Sequence, residues 1–552
     1  MANPDLIAWL FPAGEDDLGW KNAGETIHHE ENQSIFMKAQ QQIDRGIRSR
    51  ESTAPPEDYE PKERTPHWEY LDRLRLTFSR GPKGRKGITF GTNANACDVY
   101  LPKWNCLENK IGREHCYLTF DAQNRLILQD ESTHGTIVTY NGLGGMKRRN
   151  FTWIIGGHEV PQDAKEIIIK FHENLQFQIV VFNHEAYPQQ YVVNVNRFRQ
   201  QIAANAELPM AGLGLRSNDS TAGNSSVQTP RTDAIRLKQR TLGKGSFAVV
   251  TLRWDVSTGE YVAVKEPYKR VYNKESWRNE IYVMNQIAHV SFELLIFHAN
   301  SDVFQENVVN LVDYIEVPRH QLILEYVPYG NLEEQHIQRR FSNIEVWTIL
   351  RQCLTALEFV HQKRIVHRDL KPENILVASR DPLHVKVADF GLAKEGSYME
   401  TVCGTDLYAP PEIAQYRGSN APRERYTRAV DIWSLGVVIL RFGYGLPGQG
   451  RGLEWCKNVM NEANSWESES MIDFLRNYMI VWNPEQRYSA GACLDFLNGL
   501  SMSQRYNVAP TPASYAEEDA GYSEEDEEYS DGEATETGDD GEEGHIAEQV
   551  SN

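Results

Sequence analysis

The chain has 552 residues, of which 40% are hydrophobic and 24% charged, and its formal net charge at pH 7 is −20. At about 150 residues per domain this length predicts two to four domains, and the composition excludes a wholly disordered, collagen-like or coiled-coil protein. No apolar run approaches the roughly 20 residues that cross a bilayer, the amino-terminus is too acidic for a signal peptide, and the 7 cysteines include no CxxC pair. We therefore predict an intracellular protein, nuclear or cytoplasmic, with no membrane partner.

The first 190 residues divide into two parts. Residues 1–69 are rich in polar residues and proline and show no sustained periodicity, which predicts a mostly disordered segment with a short helix near residues 34–47. Residues 70–190 contain short β-rich runs such as LRLTF, CYLTF and QFQIVVF, separated by turn signals. Runs at this spacing predict an all-β sandwich.

Four features of the second part have the order and spacing of a known family. Gly91 is followed by Cys97-Asp-Val-Tyr-Leu-Pro, by Gly112-Arg-Glu-His and by Asp130-Glu-Ser-Thr-His-Gly-Thr. They resemble a forkhead-associated (FHA) domain, a β-sandwich whose loops bind phosphothreonine. The resemblance implies a partner that contains phosphothreonine, and we expect His115 to form internal hydrogen bonds.

Three positions depart from the FHA pattern. Thr92 replaces its arginine, Gly112 its serine, and His134 the asparagine of its Asn-Gly-Thr motif. Phosphate recognition needs charge-assisted donors. Either Arg113, Lys110 or His134 compensates for the lost contacts, or the sandwich has a purely structural role.

Residues 200–233 are rich in Ser, Asn, Gly and Thr and predict a linker. From residue 235 to about residue 500, a few β-rich runs precede longer helical segments, which predicts an α+β fold with two lobes. A turn containing Gly243 and Gly245 joins two of the β runs, and glycines let backbone N–H groups approach phosphate oxygens. Lys265 ends the next run and needs anionic partners, for which phosphates and Glu280 are the candidates.

The run His367-Arg-Asp-Leu-Lys-Pro-Glu-Asn, followed by Asp389-Phe-Gly, is the most specific motif. With the Gly-rich turn and Lys265 in the same order, it resembles the signature set of eukaryotic protein kinases. The resemblance covers residues 235–500. It implies transfer of phosphate from ATP with Mg²⁺ as cofactor, and protein substrates as partners.

The resemblance also implies a role for each matching residue. Asp369 is similar to the catalytic base and Lys371 to the lysine that steadies the transferring phosphoryl group in serine/threonine-type kinases, while Asn374 and Asp389 would hold Mg²⁺. The residues expected to bind ATP are Leu242, Gly243, Gly245, Val250, Ala263, Lys265, Glu280, Glu325, Val327 and Leu376.

Other kinase-like positions concern support and regulation. Leu324 is the expected gatekeeper beside the adenine, and Glu412 is expected to pair with Arg487. Thr401 resembles an activating phosphorylation site whose phosphate would pair with Arg368. The motif around Asp431 resembles the helix that anchors the catalytic loop. Ala248 stands where the family has a third loop glycine, and we expect activity to be retained.

Residues 290–305 interrupt a pattern that is continuous in kinases. Without them the chain would read His-Glu-Asn-Val-Val-Asn-Leu, and their codons can resemble a splice donor, branch point and acceptor. We consider a retained intron in the gene model, with a genuine surface insertion as the alternative.

The last part of the chain carries most of the net charge. Residues 517–548 contain 16 Asp and Glu, and no Lys or Arg follows Arg505. Subtracting these 16 charges from −20 leaves −4 for the rest of the chain. Residues 506–552 are therefore predicted to be a disordered acidic tail, and no basic, aromatic stripe elsewhere indicates direct nucleic-acid binding.

These patterns predict a multidomain protein, with an FHA-like sandwich followed by a bilobal kinase fold. The layout is similar to that of checkpoint kinases. We predict an active serine/threonine protein kinase in a signalling or checkpoint-like pathway. The alternative is a catalytically silent kinase-fold scaffold or phosphopeptide-binding adaptor, which the presence of the complete catalytic set disfavours.

Overall fold

The computed structural model describes residues 3–39, 71–103, 110–157, 160–161, 164–207, 234–245, 247–269, 273–288, 306–316, 320–395, 406–416, 427–448 and 450–500. Most of the predicted linker, residues 290–305, Thr401 and the acidic tail lie outside these ranges. No helix within the described ranges is long and apolar enough to span a membrane.

The first region, residues 3–207, is a sandwich of two β-sheets with two helices. Its strands and helices are β1 (Leu6–Ala13), α1 (Asp17–His28), β2 (Phe36–Met37), β3 (Arg73–Thr77), β4 (Ile88–Gly91), β5 (Val99–Tyr100), β6 (Cys116–Phe120), β7 (Leu126–Asp130), β8 (Ile137–Tyr140), β9 (Leu143–Gly144), β10 (Thr152–Gly156), β11 (Ile167–His172), β12 (Leu175–Val181) and α2 (Pro188–Glu207). One sheet has the order β2-β3-β1-β12-β11-β8-β9 and the other the order β10-β7-β6-β4-β5. The predicted all-β sandwich is confirmed.

Apolar side chains of alternate strand positions fill the space between the sheets. Strand β7 shows strict alternation of buried and partly buried residues, as expected for a strand with one face on a core. Phe90 of β4 packs against Phe171 of β11 with ring centroids 5.5 Å apart. This aromatic contact joins one sheet to the other across the core.

The prediction that residues 1–69 are mostly disordered is wrong for residues 3–39. Strand β1 pairs antiparallel with both β3 and β12, and Leu10 is fully buried. The prediction failed because β1 is a near-continuous apolar run in the interior of a sheet, without the alternation that marks a half-buried strand. Residues 36–37 belong to strand β2 rather than to the predicted helix.

The sandwich also extends beyond its predicted end at residue 190. Helix α2 runs to Glu207 and so includes the first residues of the predicted linker. Tyr191, Val195 and Phe198 are buried in the sandwich core, and their spacing of four and three residues places them on one helical face. This buried face explains why the polar composition of the segment misled the prediction.

The second region, residues 234–500, has the predicted two lobes. Its strands and helices are β13 (Arg236–Lys244), β14 (Ala248–Asp255), β15 (Tyr261–Pro267), α3 (Lys274–Ala288), β16 (Leu311–Ile315), β17 (Gln321–Glu325), α4 (Leu332–Gln338), α5 (Asn343–Gln362), β18 (Ile365–Val366), β19 (Ile375–Arg380), β20 (Leu383–Val387), β21 (Lys394–Glu395), α6 (Pro411–Ala414), α7 (Ala429–Gly443), α8 (Gly452–Ser465), α9 (Ser470–Phe474) and α10 (Ala490–Gly499). An antiparallel sheet of order β13-β14-β15-β17-β16 forms the first lobe, and helices α4–α10 dominate the second.

The helical lobe is built around α5 and α7. Ser342 and Glu345 form a reciprocal capping box that begins α5, which satisfies two otherwise unpaired backbone N–H groups. Nearly every residue of α7 is buried, as expected for a helix that is apolar on all sides. The two helices share one apolar cluster with strands β19 and β20, and this cluster supports the loops between them.

The two regions share part of one apolar core. Ile235, Leu237, Trp254 and Val256 of the second region are buried in the same cluster as the sandwich residues. The described residues of both regions accordingly belong to one compact unit. The predicted domains are therefore in contact through buried side chains.

If β1 is an integral strand, replacing Leu10 with alanine should destabilise the sandwich by about 2–5 kcal/mol, because it removes buried apolar atoms and leaves a cavity. Leu18, on the same amino-terminal segment, is 43% exposed, so Leu18→Ala is a matched control that should change stability by about 0.5 kcal/mol or less. Chemical denaturation of the full chain measures both. Equal effects of the two substitutions would contradict the assignment of β1 to the core.

Candidate active site

Three adjacent strands carry the predicted phosphate-binding residues side by side. Gly243 on β13 pairs with Val250 on β14, and Val250 pairs with Lys265 on β15. The Gly245 N–H donates to the Ala248 carbonyl at 2.9 Å and so closes the turn. A Cβ on Gly243 would meet no atom within 4 Å, so the turn faces open space that phosphates could enter.

Lys265 is the centre of a charge cluster in which Lys265 and Glu280 are largely buried and Asp389 is half exposed. Its Nζ lies 2.6 Å from Oε1 of Glu280 on α3 and 2.8 Å from Oδ1 of Asp389. Burial alone would lower the pKa of Lys265, but the two carboxylates outweigh it and raise this pKa above its usual value. The lysine is thereby held in its charged form, as phosphate binding requires.

The two carboxylates respond differently to this environment. Burial raises the pKa of Glu280 despite its contact with Lys265. For Asp389, burial acts in the same direction, but the charge of Lys265 outweighs it and lowers the pKa. Asp389 is therefore the carboxylate better suited to bind a cation.

Apolar residues line the expected adenine site. Ala263 on β15 lies opposite Leu324 on β17. Leu324 and Leu376 pack against a small buried cluster that includes Val327. Leu242 lies where the β13–β14 register shifts, between Thr241 and Gly243. Together these residues provide apolar surface from both lobes, as a flat aromatic base requires.

The side chain of Glu325 is engaged elsewhere. Its carboxylate accepts hydrogen bonds from Lys386 Nζ at 2.7 and 2.8 Å and from the Asn310 N–H at 2.9 Å. Any contact of Glu325 with adenine would therefore come from its backbone.

The predicted catalytic base lies in a loop between β18 and β19. The Asn374 amide donates to the Asp369 carbonyl at 2.8 Å and to its Oδ2 at 3.0 Å. Lys371 Nζ lies 3.4 Å from the same Oδ2. The structure thus brings Asp369, Lys371 and Asn374 together and orients the carboxylate of Asp369.

A buried carboxylate beneath this loop holds its backbone. Asp431 at the start of α7 accepts hydrogen bonds from the N–H groups of His367 and Arg368 at 2.9 and 2.8 Å. The His361 ring lies 2.8 Å from the same carboxylate. Burial tends to raise the pKa of Asp431, but the hydrogen bond with His361 and the nearby histidines lower it.

The helix that begins near Asp431 carries a recognisable sequence motif, whereas two residues that support the site, His361 and Asn279, do not. His361 lies in the last turn of α5, and no local pattern distinguishes it from an ordinary core histidine. Asn279, next to Glu280 on α3, donates to the Ala393 carbonyl at 2.8 Å and so ties α3 to the segment that follows Asp389. His361 and Asp431 are far apart in the chain, as are Asn279 and Ala393. A motif can mark one residue of such a pair, but it does not identify the other.

The hairpin β19–β20 brings the two predicted metal ligands to one end. Asn374 immediately precedes β19 and Asp389 follows β20, and the Ala388 N–H donates to the Asn374 carbonyl at 2.8 Å. An amide and a carboxylate oxygen are ligands that Mg²⁺ accepts, with phosphate oxygens completing its shell. The described residues contain no cluster of three or more His, Cys, Asp or Glu that could hold a metal alone.

Arg487 and Glu412 form the expected ion pair, which is confirmed. The guanidinium makes two parallel contacts with the carboxylate at 2.6 and 2.8 Å, the bidentate geometry typical of strong arginine–carboxylate pairs. Arg368, the expected partner of phosphorylated Thr401, donates to the Leu392 carbonyl at 3.1 Å. Thr401 lies outside the described residues, so its role stays a prediction.

The loops of the sandwich that would bind phosphothreonine are held by backbone contacts. The Thr92 N–H donates to the Gly112 carbonyl at 3.1 Å, and a Cβ on Gly91 would lie 2.2 Å from the Arg113 carbonyl oxygen. The Gly112 N–H donates to Nδ1 of buried His115 at 3.1 Å. The internal hydrogen-bonding role predicted for His115 is confirmed.

The charged side chain of Lys147 lies near His115 at the same end of the sandwich. Burial is the largest cause that lowers the pKa of His115, to about 4, so its ring is neutral at pH 7. Asp130 organises the loop of His134 by accepting hydrogen bonds from the hydroxyls of Ser132 and Thr136. These contacts hold the loop that presents His134.

Replacing Glu280 with glutamine should lower phosphate-transfer activity at least roughly tenfold, because the substitution keeps the shape of the side chain but removes one of the two charges that position Lys265. A tenfold change corresponds to a loss of about 1.4 kcal/mol in transition-state stabilisation. Glu275 lies exposed on the first turn of the same helix, so Glu275→Gln is the matched control and should leave kcat/KM unchanged. Similar kcat/KM values for wild type and Glu280→Gln would contradict the proposed role of the ion pair.

Comparisons with known families agree with the two-region organisation. The protein kinase domain model matches residues 237–496, and the FHA domain model matches residues 88–149.

Several curated proteins are similar to this chain. The serine/threonine-protein kinase RAD53 of Saccharomyces cerevisiae is 29% identical over 436 residues, which cover 74% of this chain and 49% of RAD53. A probable myosin light chain kinase of Dictyostelium discoideum is 30% identical over 317 residues, 54% of this chain and 84% of that protein. The probable serine/threonine-protein kinase fhkC of the same organism is 32% identical over 239 residues, 41% of this chain and 37% of fhkC. The chain thus spans about half the length of RAD53.

Among solved structures, the crystal structure of Rad53 1-466 in complex with AMP-PNP is 23% identical in sequence. It covers 76% of this chain and 94% of its own, with a TM-score of 0.46. Since the chain is 30% identical to the Dictyostelium relative and covers 84% of it, the chain belongs to the protein kinase family, and it also carries an FHA domain.

Proposed function

We propose that this protein transfers the γ-phosphate of ATP to serine and threonine hydroxyls of protein substrates. The observation that carries this proposal is the charge cluster in which Lys265 contacts Glu280 at 2.6 Å and Asp389 at 2.8 Å. This arrangement joins β15, α3 and the segment after β20. A protein kinase needs its lysine–glutamate ion pair in place, and it also needs the aspartate that would hold Mg²⁺.

ATP would bind between the two lobes. The adenine would lie against Ala263, Val327 and Leu376, and the phosphates would lie under the turn at Gly243 and Gly245. Lys265 would contact the α- and β-phosphates, since its ammonium is charged and already oriented by two carboxylates. We propose that Leu242, Val250 and the backbone of Glu325 complete the nucleotide site.

The transfer step would depend on the loop that contains Asp369. Asp369 would accept the proton of the substrate hydroxyl, and the Asn374 amide holds its carboxylate in one orientation. Lys371, 3.4 Å from that carboxylate, would contact the transferring phosphoryl group. Mg²⁺ held by Asn374 and Asp389 would neutralise charge on the phosphates.

The competing function is a catalytically silent scaffold. A silent kinase fold typically lacks one of the groups that hold the phosphates, the metal or the proton. Lys265, Asp369, Asn374 and Asp389 are all present and in mutual contact or on adjoining segments. Their arrangement favours the enzyme.

Phosphate transfer from Mg-ATP to a Ser/Thr peptide library tests the proposal. In the full chain, Asp369→Asn should lower the rate by about 10²–10⁴, the range typical of a lost general base, and Asp389→Ala should abolish transfer. Asp495→Asn, on the exposed side of α10, is the matched control and should retain the wild-type rate. If the wild-type chain binds ATP and is phosphorylated on Thr401 but transfers no phosphate, the scaffold alternative replaces the proposed enzyme.

We further propose that the FHA domain brings the kinase to phosphothreonine-containing proteins, in a checkpoint-like signalling pathway of the nucleus or cytoplasm. Lys147 supplies positive charge near His115, and Arg113 adjoins Gly112 in the chain, which supports an anionic ligand. The five described cysteines are all free and buried, which supports a reducing compartment. Phosphorylation of Thr401, with Arg368 as partner, is the proposed activating event.

A phosphothreonine peptide library and its unphosphorylated counterpart test the role of the FHA domain. The phosphorylated peptides should bind selectively. Arg113→Ala should weaken their binding, because a hydrogen bond between a charged donor and a phosphate contributes about 1.5–3 kcal/mol. Binding is measured by fluorescence anisotropy with the full chain. Equal binding of the two libraries would leave the sandwich with a structural role.

A further inference from the structure

The strands that carry the Gly-rich turn enter the FHA domain at their opposite end. β13 and β14 pair along their whole length, with Gly243 and Gly245 at one end. At the other end, Ile235, Trp254 and Val256 are at most 1% exposed and belong to the sandwich core. In the first lobe β13 is an edge strand with a neighbour on one side only. The apolar residues at this end of β13 and β14 are instead buried against the sandwich.

Backbone hydrogen bonds continue from one domain to the other. The Val256 N–H donates to the Ile235 carbonyl at 3.0 Å, and the Val256 carbonyl accepts from the Ile154 N–H at 2.8 Å. Ile154 lies on β10, the edge strand of the five-stranded sheet, where the register shifts relative to β7. An edge strand has backbone groups that need partners, and here the kinase hairpin provides one.

A ring contact orients the buried tryptophan. The Tyr140 and Trp254 rings meet edge to face, with centroids 5.6 Å apart and planes at 83°. The Tyr140 hydroxyl donates to the Ile154 carbonyl at 2.7 Å. Tyr140 therefore connects β10, whose Ile154 binds the Val256 carbonyl, with the ring of Trp254.

An arginine joins the FHA domain to the turn after β14. Arg125 Nη1 donates to the Thr258 carbonyl at 2.9 Å, while Asp121 holds the other side of the guanidinium at 2.7 Å. Gly259 has a φ of +82°, and a Cβ there would lie 2.2 Å from Arg125 Nη1. The turn thus needs glycine for its conformation and for this close approach.

From these contacts we propose that the FHA domain is a fixed brace on the Gly-rich hairpin, and that Arg125, Tyr140 and Trp254 are positioning residues for ATP binding. A hairpin held at one end has fewer orientations at the other, so the turn above the phosphates is kept in its binding position. The role in ATP binding rests on the proposed kinase function, whereas the interface itself does not.

The interface is tested by cutting the chain between the domains. A protease site inserted within residues 208–233 of the full chain allows cleavage after folding. The two fragments of the wild type should co-elute in size-exclusion chromatography, because the buried contacts hold them together without a covalent link. Fragments of Trp254→Ala should separate or co-elute less. Separation of the wild-type fragments would overturn the brace.

The effect on the turn is tested with Gly259→Ala, whose methyl group displaces Arg125. If the hairpin then occupies its binding position about a third of the time, the apparent affinity for ATP falls about threefold. We expect the Kd and KM for ATP to rise by that amount while kcat stays constant. Gly445→Ala is the matched control, because Gly445 has a φ of +97° and a Cβ there would meet nothing within 4 Å. It should leave ATP affinity unchanged.

A double-mutant cycle separates this contact from backbone strain. In an Arg125→Ala background the methyl group has no guanidinium to displace, so adding Gly259→Ala should raise the Kd for ATP less than it does in the wild type. Unchanged ATP affinity in Gly259→Ala, or equal effects in both backgrounds, would overturn the positioning role. Because nucleotide binding and co-elution are measured without phosphate transfer, a wild type that binds ATP but is inactive would refute the proposed function and leave the brace intact.

Discussion

The buried ammonium of Lys265 imposes the main constraint on the kinase domain. A charge removed from water is tolerated only with close counter-charges, and Glu280 and Asp389 come from a helix and a loop that are distant in the chain. Their contacts require α3 to lie against β15 and the segment after β20 to reach the same point. Gly391 is part of this arrangement, since a Cβ there would lie 3.1 Å from Lys265 Nζ and 3.1 Å from Asp389 Oδ1. The placement of α3, β15 and the segment after β20 around the proposed nucleotide site therefore depends on this one cluster.

A second buried charge, Asp431, supports the catalytic loop from the helical lobe. It accepts two backbone N–H groups of that loop and contacts His361. Arg368 and Asp389 both have positive φ values, +73° and +61°, which non-glycine residues adopt at a cost in free energy. The hydrogen bonds of Asp431 hold Arg368 in this conformation, and the hydrogen bond of Lys265 holds the carboxylate of Asp389 where the phosphates would lie. Strain is thus retained where the chemistry is proposed to occur.

The FHA domain has two proposed roles, which involve different ends of the sandwich. In its loops near Thr92 and His134, the hydrogen-bond donors that would contact a phosphate differ from the FHA pattern, and the positive charge of Lys147 lies nearby. Its other contribution is the core that receives Trp254 and Ile235, through which the hairpin of the Gly-rich turn is held. Binding to a partner and support of the nucleotide site can therefore be changed by separate substitutions.

The two fold classes, the order of the domains and nearly all the proposed catalytic residues can be predicted from the amino-acid sequence. Motifs such as Asp369 to Asn374 are local, and their spacing reflects chemistry that tolerates little change. The folded chain was needed to find that β1 lies inside a sheet and that α2 packs on the sandwich, because these features depend on which surfaces meet. It also decided the contacts of His361 with Asp431 and of Tyr140 with Trp254, since a lone histidine or aromatic residue gives no local sign of a partner more than 60 positions away. Local chemistry is visible in a chain, whereas long-range packing depends on the folded shape of both surfaces.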